Sequence, residues 1–215
     1  MAWIDLSHTI IPHMPQWQGD DQPLALHLRS EHGPDSHMSS SLEIGCHVGT
    51  HIDAPLHFLA GAPAVDEMPV DRFFGNGLVV DVRQENTGVA RAEALGAEVL
   101  NGLDLDQVDF ILFLTGWDRF WGQERYYQEW PWLSADLARK LAAADLKGVG
   151  LDTPSLDDFS GQAAHDICAA AGLINIENLT GLAALPSSGF QFQALPLKLR
   201  ATEASPVRAV AWVQM

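Results

Sequence analysis

The feature that most constrains this chain is the segment 47–58, which reads His-Val-Gly-Thr-His-Ile-Asp-Ala-Pro-Leu-His-Phe. The side chains in it that can bind a metal or carry a proton all occupy odd positions: His47, His51, Asp53 and His57. Alternate side chains of an extended backbone share a face, so the first three are predicted to project from one side of a strand. The odd position among them is Gly49, whose missing side chain leaves room for an ion.

A helical reading of this segment places His47 and His51 one turn apart, but the residues between and after them disfavour it. Gly, Thr, Ile and Pro are poor residues for a helix interior. A second reading, unconnected polar residues near a turn, does not account for the shared parity. Neutral imidazole combined with carboxylate is a ligand set that suits zinc or manganese. The segment is therefore predicted to be extended and to form a metal site.

Length and charge limit the classes of partner. With 215 residues and 47% hydrophobic content, the chain is expected to fold as one globular domain over residues 1–215. Its formal net charge is −16, from 28 acidic and 12 basic side chains. This charge argues against nucleic acid as a partner, because phosphate binding draws its affinity from Lys and Arg. It also argues against an anionic membrane surface.

The cellular location is predicted from features that the sequence lacks. The first residues have neither the basic nor the long apolar region of a signal peptide, and no stretch has the length of a transmembrane helix. The two cysteines are too few for a disulfide framework. We therefore expect a cytoplasmic protein that acts on a small molecule.

Strand and helix patterns alternate along the chain. Continuous apolar runs predict buried strands over 77–82 and 110–115, and further strands are predicted over 148–152, 173–176, 190–199 and 207–213. Helices are predicted over 135–144, 163–171 and, from Ala and Glu content, 88–101. This alternation predicts an α/β fold with a mixed sheet.

Two further polar residues stand out beyond the metal segment. Glu177 follows a predicted strand, and functional sites of α/β folds gather at strand ends. His165 lies in an otherwise small and apolar helix start. Taken singly, a residue of either kind is more often structural or solvated than functional, and sequence spacing alone does not bring either one to Asp53.

Aromatic residues supply candidates for a substrate pocket. Trp17, in a loop punctuated by Pro12 and Pro15, is interpreted as either a pocket wall or a packed aromatic residue. With Phe58 it would form apolar walls that accept an aromatic substrate. The aromatic-rich segment 119–133 is consistent with a surface loop anchored by packed rings, with an interface or with a pocket lid.

The segment 47–58 resembles the signature of the metal-dependent cyclase-type hydrolase family, which includes bacterial kynurenine formamidases (arylformamidases) and isatin hydrolases. The resemblance continues in collinear order over most of the chain. It includes Asp5-Leu6-Ser7-His8, Thr115-Gly116-Trp117-Asp118, Gly150-Leu151-Asp152-Thr153-Pro154-Ser155, Ile176-Glu177-Asn178-Leu179, Leu195-Pro196-Leu197-Lys198 and Ser205-Pro206-Val207-Arg208-Ala209.

The resemblance implies a swivelling β/β/α domain that assembles as a homodimer or higher homo-oligomer. It also implies one divalent ion bound by His47, His51 and Asp53. In the formamidase branch a second ion is held with Asp53 as the bridge and with three further ligands: His57, His165 and Glu177. Zinc is the first candidate for the ion and manganese the second, since a single manganese is typical of the isatin-hydrolase branch.

The implied activity is hydrolysis of an amide-type C–N bond by metal-activated water, with N-formyl-L-kynurenine as the leading substrate and formate and kynurenine as products. His57 is then either a metal ligand or the general acid that protonates the leaving amine. The alternatives are hydrolysis of isatin or another cyclic amide or lactone, and a non-catalytic metal-binding module. Gly-x-Ser-x-Gly is absent, which argues against a serine-triad esterase.

Overall fold

A computed structural model describes residues 1–17, 24–33 and 35–214 and shows a mixed α/β fold. The strands are β1 Ala2–Asp5, β2 Leu24–Ser30, β3 Ser39–Ile44, β4 His51–Asp53, β5 Phe74–Asp81, β6 Ala94–Leu95, β7 Phe110–Leu114, β8 Trp132–Leu133, β9 Gly148–Leu151, β10 Ile174–Glu177, β11 Phe190–Gln193, β12 Ala204–Pro206 and β13 Val210–Val213. The α-helices are α1 Ala135–Ala142 and α2 Ala163–Ala170.

One large sheet organises the molecule. Its strand order is β1-β13-β11-β5-β7-β9-β10-β4-β12. The four central strands β5, β7, β9 and β10 are parallel, and the strands on both sides of them pair antiparallel. The α/β class and the mixed sheet predicted from the sequence are thereby confirmed. The hairpin β2–β3 forms a separate two-stranded sheet.

The apolar run of β7 explains why this strand lies in the middle of the sheet. Every residue from Phe110 to Leu114 is buried. The even-numbered side chains face one hydrophobic cluster together with Ile176, and the odd-numbered ones face a second cluster together with α1. A strand buried on both faces is expected to lack polar alternation, as the sequence of β7 does.

The two α-helices begin where their sequences predict and end slightly earlier, at Ala142 and Ala170. The Ser134 hydroxyl accepts a hydrogen bond from the Leu137 backbone N–H at 3.2 Å and caps α1. Leu137 and Leu141 are fully buried against the sheet. After α2, Gly172 adopts a left-handed φ of 72°, which is the C-terminal position that glycine occupies at the lowest cost.

The prediction of a helix over 88–101 is wrong. Ala94–Leu95 is strand β6, which pairs parallel with β8, and Ala97–Leu100 forms a 3₁₀ turn. Gly96 interrupts the segment, and its apolar residues Leu95 and Leu100 are buried in the cluster that also covers α1. The Ala and Glu content that suggested a helix is overridden by these tertiary contacts.

Two other predicted strands are shorter than expected. The strand over 190–199 ends at Gln193, and the strand over 207–213 begins at Val210. Pro196 lies in the first of these segments, and proline has no N–H to donate to a sheet. Among the described residues, no helix has both the length and the apolar character needed to span a membrane.

The aromatic residues of segment 119–133 belong to a third hydrophobic cluster. Trp130 and Tyr126 are almost fully buried, together with Trp117 just before the segment. The indole N–H of Trp117 donates to the Tyr126 carbonyl at 3.2 Å, and that of Trp130 donates to the Asp157 carbonyl at 2.8 Å. Gly122, Gln123 and Glu124 are exposed, so the segment agrees with the interpretation as a surface loop anchored by packed rings. This cluster supports one wall of the cavity described next.

Candidate metal centre

Strand β4 carries two of the predicted ligands on one face. His51 and Asp53 project to the same side of the strand, and Ile52 between them is fully buried in the hydrophobic core on the other side. Antiparallel pairing with β10 and β12 holds β4 on both edges. The alternation predicted from the sequence therefore describes the direction of these two side chains correctly.

His47 reaches the site by a different route from the one predicted. Residues 45–50 are a turn rather than a strand, so strand parity does not place His47. Gly49 adopts a left-handed φ of 68° in this turn. The turn returns the chain so that Nδ1 of His47 lies 3.0 Å from Oδ1 of Asp53, while Nε2 of His47 lies 3.2 Å from Oε1 of Glu203.

The prediction that Gly49 leaves room for an ion is also wrong. A Cβ atom at this position would lie 3.0 Å from Cε of Met14, so the space beside the glycine is already packed. The contribution of Gly49 is its carbonyl oxygen. That oxygen accepts hydrogen bonds from Nδ1 of His51 at 2.9 Å and from Nδ2 of Asn178 at 3.0 Å. Since a carbonyl only accepts, the proton of His51 is on Nδ1.

This tautomer leaves a lone pair on Nε2 of His51, and the atom is buried without a hydrogen-bond partner among the described residues. Oδ1 of Asp53 is likewise buried with no partner of hydrogen-bond geometry in the described part of the chain. These two acceptor atoms lie 3.4 Å apart. Two ligand atoms on one tetrahedral zinc, at bonds of about 2.0–2.1 Å, are separated by about 3.3 Å. The donor set and its spacing therefore fit a divalent cation.

The second half of the site comes from β10 and α2. Glu177 lies opposite His51 in the antiparallel pair, and its Oε2 is 3.5 Å from Nε2 of His51. The other oxygen, Oε1, is 3.1 Å from Nε2 of His165. Nδ1 of His165 bonds to Asp157 at 2.7 Å. The structure thus brings His165 and Glu177 together beside the ligands of β4.

His57 lies at the mouth of the site. It ends the 3₁₀ turn Pro55–His57, and its ring centroid is 4.3 Å from that of His47. The potential ligand atoms form two sets that share Asp53: His47, Asp53 and His57 in one, and His51, Asp53 and Glu177 in the other. The family resemblance groups His47 with His51 instead. In both groupings Asp53 is the shared carboxylate.

Several pKa values in the site are shifted by these contacts. Burial lowers the pKa of His47 and of His165, but carboxylate neighbours outweigh burial and raise the two values to about 9 and about 10. Burial raises the pKa of Asp53, but His51 and His47 outweigh it and hold that pKa well below its usual range. Without a metal, protonated imidazoles therefore supply the positive charge that the buried carboxylates require.

The pKa of His57 is shifted in the opposite direction, downward, chiefly because of burial. The nearby charge of Asp53 opposes this effect without reversing it. Near neutral pH the His57 imidazole is therefore uncharged and able to accept a proton.

A cavity of about 300 Å³ opens above these residues. Its walls include all six predicted metal-site residues and both predicted substrate-binding residues, Trp17 and Phe58. The Phe58 ring lies against the His165 ring at a centroid distance of 4.2 Å. Trp17 lies edge-on to Trp130 at 5.6 Å and parallel to Phe159 at 5.5 Å. Both interpretations of Trp17 therefore hold, since it is packed and also lines the cavity.

Sequence reasoning missed several residues of the site. Asp157 holds His165, Asn178 holds the Gly49 carbonyl, and Tyr127, Asp158 and Phe159 line the cavity. The sequence did contain a signal for two of these residues, Asp157 and Asp158. Both Asp residues lie shortly after the predicted strand 148–152, at the carboxyl end of a parallel strand, where α/β folds place their sites.

Comparison with known proteins agrees with this geometry. The family model described as Cyclase matches residues 4–158. The chain belongs to the Cyclase family. Among its relatives, a kynurenine formamidase of Salinibacter ruber is 33% identical, with 98% of this chain and 97% of the relative covered. A kynurenine formamidase of Bacillus cereus is 30% identical, with 97% and 96% covered.

Solved structures of similar fold extend the comparison. Isatin hydrolase A from Labrenzia aggregata, bound to benzyl benzoate, superimposes with a TM-score of 0.87 at 25% identity. The superposition covers 100% of this chain and 94% of the isatin hydrolase chain. A protein described as a potential metal-dependent hydrolase with cyclase activity gives a TM-score of 0.81 at 26% identity, with 100% and 98% covered. The fold of this chain is thus shared with solved structures that are described as hydrolases.

Proposed function

We propose that this protein hydrolyses the amide C–N bond of N-formyl-L-kynurenine and releases formate and kynurenine. One observation carries the proposal: Nε2 of His51 and Oδ1 of Asp53 converge at an aromatic-walled cavity, buried and without a hydrogen-bond partner among the described residues. The formamidase relatives match over nearly the full length of the chain, which supports this substrate over others.

The ligand set supports zinc as the first candidate for the metal and manganese as the second. Nitrogen and carboxylate donors without thiolate are common in catalytic zinc sites, which keep a coordination position open. The two ligand sets that share Asp53 support two ions, with His165 beside Glu177 as a further ligand. What a divalent cation supplies at such a site is a water of lowered pKa and a polarised substrate carbonyl.

His57 belongs to one of these ligand sets, and its alternative role, with the imidazole not bound to the ion, is to move protons. Its imidazole is uncharged near neutral pH and lies at the cavity mouth, at the edge of the ligand cluster. It takes a proton from the attacking water and returns it to the leaving aniline nitrogen as the C–N bond breaks. Trp17 and Phe58 provide flat apolar walls for the aryl ring and exclude water from the reacting amide.

Isatin is the second candidate substrate, favoured by the structural similarity to isatin hydrolase A. Isatin contains an aniline nitrogen acylated within a ring, so its hydrolysis breaks the same type of bond. Other cyclic amides or lactones would use the same groups. A non-catalytic metal-binding module remains the alternative from a different class, and the absence of turnover on all such substrates by metal-loaded protein would favour it.

The test is formate release from N-formyl-L-kynurenine by protein loaded with zinc or manganese, with isatin as the second substrate. Activity that disappears with chelator and returns with metal is expected, while the circular dichroism spectrum keeps its folded shape. If the metal-loaded protein hydrolyses neither substrate, the proposal is refuted.

The role of His57 has its own test, the variant His57→Ala. Loss of turnover with full metal content would support proton transfer. Loss of one metal equivalent would instead identify His57 as a ligand. Asp53→Asn is the matched comparison, because loss of both metal and turnover is expected from it.

We further propose a homodimer or higher homo-oligomer. The β2–β3 hairpin exposes Leu26, Leu28 and Leu42, and Leu26 pairs directly with Leu42 across the two strands. Such a contiguous apolar face marks an interaction surface. A Leu26→Asp variant is expected to dissociate the assembly, and light scattering coupled to size-exclusion chromatography measures this. An unchanged molar mass of that variant would move the interface elsewhere.

Two more proposals concern the context of the molecule. We propose that residues 1–215 form a single domain, because β1 and β13, from opposite ends of the chain, pair in one sheet. A cytoplasmic location is supported by Cys46 and Cys168, which are both free thiols. The net charge of −16 supports the absence of a nucleic-acid or anionic membrane partner.

A further inference from the structure

Two consecutive carboxylates on the loop after β9 face different parts of the site. Asp157 turns inward and accepts hydrogen bonds from Nδ1 of His165 at 2.7 Å and from the Ala164 backbone N–H at 2.8 Å. Asp158 turns the other way and lines the cavity. Asp157 is hydrogen-bonded to His165. Because Asp158 is the next residue of the loop, this contact fixes its position relative to the predicted metal ligands.

The Asp158 carboxylate is held through one of its oxygens. Oδ1 accepts hydrogen bonds from the Ser160 backbone N–H at 3.0 Å and from the Ser160 hydroxyl at 3.2 Å. Oδ2 has no hydrogen-bond partner among the residues that the structure describes. The carboxylate is therefore oriented by its own loop and keeps one oxygen available to a ligand.

Aromatic rings lie beside this carboxylate. Phe159, the next residue, is 57% exposed, although its ring lies parallel to that of Trp17 with an interplanar angle of 9°. Tyr127 contacts Trp17 edge-on at 6.0 Å and also lines the cavity. A carboxylate beside aromatic rings is the combination of groups that attracts an organic cation, because ring faces carry partial negative charge.

The side chains of this cavity that carry positive charge are the imidazoles of His47 and His165, in the metal site. Within the described ranges 1–17, 24–33 and 35–214, none of the residues that line the cavity is Lys or Arg. The whole chain also carries a net charge of −16. On the wall formed by the loop after β9, a positively charged ligand group therefore finds Asp158, whereas none of the described lining residues offers a Lys or Arg side chain to a negatively charged group.

We propose that Asp158, together with the rings of Trp17 and Phe159, binds an ammonium group of the substrate. The inference rests on the proposed hydrolase function and narrows its substrate class to acylated anilines that carry an aliphatic ammonium. N-formyl-L-kynurenine has such a group on its amino-acid side chain, and isatin does not. Asp158 is thus the residue that determines specificity between the two.

The experiment uses three substrates for the zinc-loaded protein. N-formyl-L-kynurenine carries the ammonium, 3-(2-formamidobenzoyl)propionic acid lacks only that group, and 2-formamidoacetophenone lacks the whole amino-acid portion. The wild-type protein is expected to prefer the first over the second by about tenfold or more in kcat/KM, as for a partly exposed charge-assisted hydrogen bond. Equal values for these two substrates would overturn the proposal.

The variant is Asp158→Asn, which keeps the acceptor for Ser160 and removes the charge. It is expected to lose about tenfold in kcat/KM on N-formyl-L-kynurenine, mainly through KM, and to change little on the two analogues. Asp136→Asn, on the exposed start of α1, is the matched control and is expected to leave all three unchanged. An equal loss on all substrates would show that Asp158 has only a structural role.

Product binding separates this proposal from the proposed function. Kynurenine keeps the ammonium, so calorimetry on the zinc-loaded protein measures recognition without any turnover. Weaker kynurenine binding by Asp158→Asn, by about tenfold, supports the ammonium site even if no substrate is hydrolysed. Equal binding by wild type and variant refutes the site even if N-formyl-L-kynurenine is a substrate.

Discussion

Nε2 of His165 lies 3.1 Å from Oε1 of Glu177, and Nδ1 of the same imidazole lies 2.7 Å from Oδ2 of Asp157. The ring is therefore held between two carboxylates. Asp157 also accepts hydrogen bonds from the backbone N–H groups of Ala164 and His165 at the start of α2. One side chain thus fixes both the beginning of the helix and the orientation of a candidate ligand.

The Asp157→Asn variant is expected to weaken metal binding by about 10–100-fold, the usual cost of losing the carboxylate behind a ligand histidine. Asparagine can still accept a backbone hydrogen bond, so the fold is retained. Competition titration with a chromophoric chelator measures the affinity. Asp166→Asn, an exposed residue of the same helix that bonds to Gln162 at 2.9 Å, is the control expected to stay near wild type. Equal affinities of the two variants would contradict the assignment.

Metal affinity is expected to increase with pH between about 6.5 and 9. Because the pKa of His47 is raised to about 9 and that of His165 to about 10, each holds a proton over this range that a cation must displace. Each displaced proton increases the apparent affinity by up to about tenfold per pH unit. Titrations at pH 6.5, 7.5 and 8.5 measure the slope. A flat profile would show that neither proton competes with the metal.

The same shifts predict the pH dependence of the metal-free fold. A histidine with a raised pKa stabilises the folded state fully below its unfolded pKa of about 6.5, and this contribution is lost as the pH rises through the folded value. The free energy of unfolding of the metal-free protein is therefore expected to fall from pH 6.5 towards about 9 to 10. Urea denaturation with chelator present measures it. Constant stability over this range would contradict the ion pairs described above.

Neighbouring tyrosines offer a matched pair of variants. The Tyr126 hydroxyl donates to Oδ1 of Asn178 at 2.8 Å, deep in the protein, so Tyr126→Phe removes a buried hydrogen bond. A loss of about 1–3 kcal/mol in the free energy of unfolding is expected. The Tyr127 hydroxyl has no hydrogen bond within the described part of the chain, so Tyr127→Phe is expected to change stability by less than about 0.5 kcal/mol. Urea denaturation compares them, and the reverse order would be inconsistent with this network.

Gly49 and Gly61 provide another matched pair, because both have a left-handed φ. Ala at either position costs about 1–2 kcal/mol in backbone strain. Only at Gly49 does the added Cβ also contact Met14, at 3.0 Å, whereas nothing lies within 4 Å at Gly61. Gly49→Ala is therefore expected to lose metal affinity as well as stability, and Gly61→Ala only stability. Chelator competition and urea denaturation on both variants test this, and equal metal affinity would contradict it.

The local part of the site was predictable from the sequence, and His51 and Asp53 show why. Alternation along an extended backbone is a property of the backbone itself, so two residues of one strand share a face whatever the tertiary structure. His47 reaches the same place by a turn that depends on the left-handed conformation of Gly49 and on its packing against Met14. The odd position of His47, which it shares with His51 and Asp53, is therefore not the reason why its side chain lies in the site.

The other half of the site depends on pairing between distant segments. Glu177 meets His51 because β10 pairs antiparallel with β4 in a register that places the two residues opposite each other. A shift of one residue would turn Glu177 to the other face. Neither the pairing nor its register is encoded in the spacing of the two segments along the chain, so only family resemblance indicated this contact.

The three residues of β4 connect otherwise separate parts of the sheet. On one edge the strand pairs with β10, which leads back to the parallel strands, and on the other with β12, near the carboxyl end of the chain. A cation bound to His51, Asp53 and Glu177 would fasten these segments, and its binding energy would add to the stability of the folded state. In a cell short of metal, unfolding would become more frequent and proteases would remove more of the protein. Metal supply would then control how much of this enzyme is present, as well as how much of it is active.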